Sequence, residues 1–180
     1  MSEPRLRPRV VLVGPMGAGK TTVADLLAVR WEVPVRDTDR DVEAAAGQEI
    51  SGIFVDHGEE HFRSLERAAV VAALADHPGV LALGGGAVLD ADTRKLLRGH
   101  RVVFLQVGLA DAIKRVGMGA GRPLLFGNVR ARIKALLDER QPIYSEVATW
   151  IVDTDGRDPA DVAAEVAELV EKVEADDRGE

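Results

Sequence analysis

The chain has 180 residues, 46% hydrophobic and 29% charged, with a formal net charge of −7, a balance that fits one soluble globular domain spanning residues 1–180. The absence of cysteine excludes disulfides, thiolate zinc sites and cysteine nucleophiles, and the acidic excess argues against nucleic acid or an anionic membrane as a partner. No stretch approaches the ~20 apolar residues of a membrane helix, and the charged start from Met1 to Arg9 precedes an apolar run too short for a signal-peptide core, so a cytoplasmic location is expected.

Val10-Val11-Leu12-Val13 reads as a buried parallel strand, and the helix predicted after the next loop places Val23, Leu26, Leu27 and Trp31 on one face. A short segment from Val33 to Arg36 leads to Asp37-Thr38-Asp39, and a helix from Asp41 to Ala46 is ended by Gly47. From Ile50 to about Asp76 the pattern is helical, divided at His57-Gly58, with Phe62, Leu65, Ala69 and Ala73 spaced for a buried face. Val80-Leu81-Ala82-Leu83 is a third strand and runs into Gly84-Gly85-Gly86; Arg101 to Val107 is a fourth, followed by a helix near Leu109 to Val116. The Gly-rich segment from Gly117 to Arg122 disfavours regular structure. A helix from Val129 to Arg140, a strand at Trp150-Ile151-Val152 and a helix opened by Asp158-Pro159 complete the chain, with Val162, Val166, Leu169, Val170 and Val173 as an apolar stripe and frayed ends expected from about residue 174. Trp31, Phe104 and Trp150 are expected in the core.

Gly14-Pro15-Met16-Gly17-Ala18-Gly19-Lys20-Thr21, set between a strand and a helix, is a phosphate-binding loop in the context that motif requires. Its glycines let consecutive N–H groups face a β-phosphate, Lys20 supplies a mobile cation, and the Thr21 hydroxyl is a ligand for Mg²⁺. Gly17, Ala18, Gly19, Lys20, Thr21 and Thr22 are therefore the expected contacts of a nucleoside triphosphate, which the resemblance given below makes ATP. Alternating strands and helices imply an α/β fold whose parallel sheet presents ligands at the carboxyl ends of its strands, where the Asp37-Thr38-Asp39 and triple-glycine clusters also fall. A guanine-nucleotide switch would need an Asn-Lys-x-Asp motif, which is absent, and the strand at Val80 ends in glycines rather than the acidic residue of a mechanical ATPase. Small-molecule kinases remain.

Seven features then occur in order: Gly14 to Thr21; Asp37-Thr38-Asp39; Phe62-Arg63 with Glu66; Gly84-Gly85-Gly86-Ala87; Arg122-Pro123-Leu124-Leu125; Arg140 before Pro142-Ile143-Tyr144; and Val152-Asp153-Thr154. In this set the chain resembles the shikimate kinases. The resemblance implies a P-loop kinase fold with a five-stranded parallel sheet flanked by helices on both faces and a mobile lid at about 117–127. It also implies transfer of the γ-phosphate of ATP to the 3-hydroxyl of shikimate on the route to chorismate, and a monomer. On these positions it makes Lys20, Asp39 and Arg122 catalytic, and assigns shikimate to Asp39, Arg63, Gly84, Gly85, Gly86 and Arg140. The metal falls to Thr21 and, through water, to Asp37, and Arg115 and Arg157 flank the adenine. The chemistry of the acceptor agrees: a carboxylate bearing three hydroxyls needs forked cations and acceptors, and the glycines would let its ring approach the backbone.

Competing readings are a kinase for another small polyol acid such as gluconate, and a non-catalytic nucleotide-binding regulator. Asp37 and Asp39 are also plausible helix caps, and Arg63 and Arg140 are plausible solvated partners of Glu59, Glu66 or Glu139. His57-Gly58-Glu59-Glu60-His61 fits the His-x-x-Glu-His pattern of some zinc peptidases, but Gly58 weakens the required helix and no third ligand is evident.

Overall fold

A computed structural model of the chain describes residues 7–120 and 127–179. Five short strands, β1 (Val10–Val13), β2 (Val35–Asp37), β3 (Val80–Ala82), β4 (Val102–Gln106) and β5 (Trp150–Asp153), form one sheet in the order β2-β3-β1-β4-β5. Every neighbouring pair is parallel, with Val11 of β1 in register with Leu81 of β3 and Val102 of β4. β1 is buried on both faces, which is why it reads as a continuous Val/Leu run rather than an alternation. The chain order reverses at β1, so the loops leaving β1 and β3 open side by side at the carboxyl edge, where a doubly wound sheet binds ligands.

The helices are α1 (Lys20–Trp31), α2 (Thr38–Ala46), α3 (Ile50–His57), α4 (Glu59–Asp76), α5 (Ala91–Leu96), α6 (Leu109–Ala120), α7 (Gly127–Val147) and α8 (Pro159–Arg178), with a 3-10 turn at Ala87–Leu89. On one face of the sheet, Val10, Leu12, Val103 and Leu105 pack with Val23 and Leu27 of α1 and Val162, Val166 and Val170 of α8. On the other, Val11, Val13, Leu81 and Phe104 pack with Val70, Ala73 and Leu74 of α4 and Tyr144 of α7. Each such side chain contributes about 1.5–3 kcal/mol when fully buried, so these two clusters carry the fold. A third cluster of only Val42, Ile53 and Phe62 joins α2, α3 and α4.

Several expectations need correction. Leu26 is 38% exposed, and Ala24 takes its place beside Val23 and Leu27 because position 26 falls at the margin of the buried stripe. Trp31 and Trp150 are only half-buried, whereas Phe104 is in the core. The backbone from Gly117 to Ala120 continues α6 rather than opening a loop, and the remainder of the expected lid, with Arg122, lies outside the described residues. The helix expected to stop at Arg140 runs through Pro142 to Val147. A proline there removes one intrahelical bond, but the buried Tyr144 beyond it packs on Phe104 with ring centroids 5.0 Å apart, and that packing holds the last turns. The hexapeptide helix α5, capped by Asp90 through Thr93 N at 2.8 Å, carries too little periodicity to be read from sequence.

The C-terminal stretch is anchored rather than frayed at Glu174. Its carboxylate accepts from Arg9 Nε at 3.0 Å and Nη2 at 2.8 Å, and from Arg101 Nη1 at 3.0 Å, while α8 continues to Arg178. Glu174→Ala leaves two half-buried guanidinium groups without their partner, and we predict a loss of about 1–2 kcal/mol in urea denaturation. Asp177→Ala, which removes an exposed contact to Arg101, should change stability by about 0.5 kcal/mol or less in the same measurement.

Candidate active site

The loop after β1 is shaped by glycine. Gly17 and Gly19 have φ of +82° and +91°, a region that side chains bearing a Cβ rarely enter. α1 starts directly behind, at Lys20, so its free N–H groups face the loop's concavity. Lys20 Nζ donates to the carbonyls of Gly14 at 2.6 Å and Pro15 at 3.0 Å. Burial pushes its ammonium down to about 8, against the pull of Asp39 and Asp37, with Arg140 adding to the depression. Thr21 and Thr22 are exposed at the start of α1, whereas Ala18 is buried and its N–H donates to Pro15 O at 3.2 Å.

β2 delivers the acidic cluster. Asp37 caps α2, accepting from Asp39 N at 2.9 Å, and still lines the cavity below the loop, so the capping and functional readings coexist. Thr38 is buried, and its hydroxyl accepts from Gly84 N at 3.0 Å, tying the end of β2 to the triple glycine after β3. Asp39 projects from the first turn of α2, and its carboxyl is raised above the ordinary range, first by burial and then by Asp37, with Lys20 opposing.

The triple glycine makes room for side chains from other elements. A Cβ on Gly84 would collide with the Asp39 carboxylate, and one on Gly86 with the Arg63 guanidinium. The absent side chains thus admit the protein's own charged groups against the backbone, and Gly85 and Gly86 still line the cavity beside them. Arg63, on α4, donates from Nη1 to Glu66 Oε1 at 2.7 Å, and Glu66 is buried with its carboxyl raised by burial despite that partner. Arg140 comes from α7; its Nε is buried and has no hydrogen-bond partner among the described residues. Tyr144, one turn on, donates to the carbonyl of Gly85.

Lys20, Thr21, Asp37, Asp39, Arg63, Glu66, Gly85, Gly86 and Arg140 line a cavity of about 440 Å³ together with Met16, Ile50, Phe54 and Phe62, while Gly84, Thr38 and Tyr144 stand behind its wall. A second cavity of about 370 Å³ shares Gly17, Gly19 and Thr22 with it, so the phosphate loop is their common wall. Arg115 and Arg157 both line the second cavity, beside Pro159 and Val162. Arg115 is fixed by Gly17 O at 3.1 Å and by the Thr154 hydroxyl and carbonyl at 3.0 and 2.7 Å; Arg157 is fixed by Asp153 O at 2.8 Å and Glu165 at 2.6 Å.

Sequence reasoning missed the aromatic wall of Phe54 and Phe62, the apolar floor of Pro159 and Val162, and the loop ties made by Thr38 and Tyr144. For Glu66 a signal existed, since it stands three residues after Arg63 on one helix face. The zinc-peptidase pattern is not built as such a site: α3 ends at His57 and His61 lies on α4, and among the described residues no three His, Asp or Glu side chains group to hold a metal.

The sheet order, the phosphate loop and the paired cavities define a phosphotransferase of the P-loop kinase class. Residues 16–171 match the family model described as shikimate kinase. The shikimate kinase of Frankia casuarinae is 62% identical over 85% of this chain and 68% of its own length, and that of Salinispora arenicola is 61% identical over 92% and 99%. A solved shikimate kinase from Acinetobacter baumannii, in complex with shikimate, superposes with a TM-score of 0.84 at 34% identity, covering 93% of this chain and 94% of that one. The chain belongs to the shikimate kinase family, and is an ATP-dependent kinase.

The depressed Lys20 makes a pH prediction. In the free protein Lys20 surrenders its proton near pH 8, and a triphosphate bound against it raises that value, so binding above pH 8 takes up a proton. ATP affinity should therefore fall between pH 7 and 9, by up to roughly tenfold per unit above 8. Calorimetry in buffers of differing ionisation enthalpy measures the uptake, and Lys20→Ala should lose both the uptake and the pH dependence.

Proposed function

We propose that the 440 Å³ cavity holds shikimate, that the 370 Å³ cavity holds the adenine of ATP between Arg115 and Arg157, and that the loop between them presents the γ-phosphate to the 3-hydroxyl. The observation that carries this reading is the convergence of Arg63, Arg140, Asp39 and Lys20 on the first cavity, with the buried Arg140 Nε lacking an acceptor among the described residues. A substrate carboxylate supplies that acceptor, and a planar guanidinium suits it better than an ammonium.

Asp39 is the base in this reading. Its raised carboxyl brings its proton affinity toward the working pH, where transfer is most effective. The 3-hydroxyl oxygen attacks the γ-phosphorus, the bond to the bridging oxygen of ADP breaks, and the hydroxyl proton passes to Asp39. Lys20 follows the charge that develops on the transferring group. Thr21 and Asp37 line the same cavity with hard oxygen donors, a set that fits Mg²⁺, an ion that keeps several waters and leans on substrate phosphates. They would hold it, Asp37 through water, and the bound ion supplies neutralisation of phosphate charge. Arg122, outside the described residues, enters as the lid arginine on its sequence position alone. The same reading takes the enzyme to be a cytoplasmic monomer without nucleic-acid or membrane partners, supported by its acidic net charge.

A coupled ADP-release assay across shikimate, gluconate and nucleoside monophosphates tests the acceptor, with turnover expected on shikimate alone. Asp39→Asn should remove most turnover while leaving ATP affinity nearly unchanged by calorimetry; collapse of ATP affinity with acceptor binding intact would move Asp39 to the metal.

The carboxylate assignment has its own test. A charge-assisted bond is worth about 1.5–3 kcal/mol, so Arg63→Ala and Arg140→Ala should each weaken shikimate binding at least roughly tenfold with ATP affinity level. Shikimate methyl ester should bind wild type poorly, and each variant should narrow the gap between acid and ester. Equal binding of acid and ester by wild type would remove the carboxylate from these arginines.

A further inference from the structure

His57 and His61 bracket the break between α3 and α4. α3 ends at His57, Gly58 intervenes with φ +85° and ψ 171°, and His61 lies in the first turn of α4. No single helix aligns them, yet their rings meet, with centroids 4.8 Å apart and planes inclined by 42°. Both residues are exposed, and neither imidazole has a hydrogen bond to another described residue. The chain has only four histidines, and two of them face each other here.

When two imidazoles bind one transition-metal ion in adjacent positions, bonds of about 2.0–2.1 Å and tetrahedral or square-planar angles set their centroids about 4.5–5.2 Å apart. The observed separation falls within that window. We propose that His57 and His61 form a two-ligand site for a borderline transition-metal ion, with Cu²⁺ preferred over Zn²⁺, separate from any Mg²⁺ that accompanies ATP. Imidazole nitrogen selects Cu²⁺, Ni²⁺ and Zn²⁺, whereas Mg²⁺ takes oxygen, so the two sites do not compete for one ion. Among the described residues no third His, Asp or Glu joins the pair, so water fills the remaining positions and the ion stays exchangeable.

The consequence lies one turn away. Phe54 of α3 and Phe62 of α4 touch, with ring centroids 4.8 Å apart, and both line the 440 Å³ cavity. An ion bridging the imidazoles ties together two helix ends that the chain joins only through Gly58, and so stiffens the aromatic wall. Only this consequence rests on reading the cavity as the acceptor site; the metal site stands apart from it.

The test uses the full chain without a histidine tag and without substrates. Calorimetry with CuCl₂ should find one equivalent at this site, and the electron paramagnetic resonance of bound Cu²⁺ should show coupling to two nitrogens. His57→Ala and His61→Ala should each weaken binding about tenfold or more, because the second ligand otherwise adds at high effective concentration. With ZnCl₂, amide hydrogen exchange over residues 53–62 should slow in wild type and in neither variant. Cu²⁺ held equally well by either variant, or a one-nitrogen spectrum in wild type, would overturn the site. Unchanged exchange with Zn²⁺ demonstrably bound would overturn its link to the cavity wall. Shikimate turnover is measured separately, so loss of the kinase reading and loss of the metal site are told apart.

Discussion

The ammonium of Lys20 is tied to the carbonyls of Gly14 and Pro15 at the end of β1, where burial drags its proton affinity down while Asp39 and Asp37 pull it back. The rest of the carboxyl edge depends on how that buried charge is balanced. Glycine at 17 and 19 curls the backbone behind the two carbonyls that reach the ammonium, and Asp37 at the end of β2 and Asp39 in the first turn of α2 lie beside it. Glycine at 84 lets one of those carboxylates lie against the neighbouring loop. Arg63, Arg140 and Glu66 complete the set, giving three groups of each sign around one cavity. An array of that kind is nearly neutral without ligands, yet its cations are poorly hydrated. On the proposed reading, polyanionic substrates meet preset partners there and little solvent has to be reorganised.

Much of this was legible in the sequence because the physics was local. The phosphate loop needs glycine at fixed steps and a strand and helix on either side, and all three signals lie within about twenty residues. The buried strands announce themselves as unbroken Val/Leu runs, as β1 and β4 do. Arg63, Arg140 and Asp39 were named from a resemblance, and the fold brings them from α4, α7 and α2 to one cavity. Arg115 and Arg157 likewise reach the second cavity.

What was not legible depends on contacts between distant segments. Nothing around Thr38 says that its hydroxyl will accept from Gly84, or that Thr154 will grip Arg115 while donating to Gln106 O at 2.8 Å. Nor does the run of three glycines say that Asp39 and Arg63, from other elements, will lie against Gly84 and Gly86. α7 passes Pro142, and α8 holds past Glu174, because tertiary partners outweigh local rules: Tyr144 against Phe104 in the first case, Arg9 and Arg101 in the second.

The two cavities also differ in what supports them. The 370 Å³ cavity is built on α1 and α8, which share the largest buried cluster with β1 and β4. The wall of the 440 Å³ cavity from Ile50 to Phe62 rests on the small cluster of Val42, Ile53 and Phe62 and on a helix break at Gly58. A satellite cluster of that size opens at lower free energy than the main core. On the proposed reading, the motion that an acceptor needs to enter and leave falls on α2, α3 and the start of α4, whereas the phosphate loop and Lys20, between β1 and α1, rest on the larger cluster.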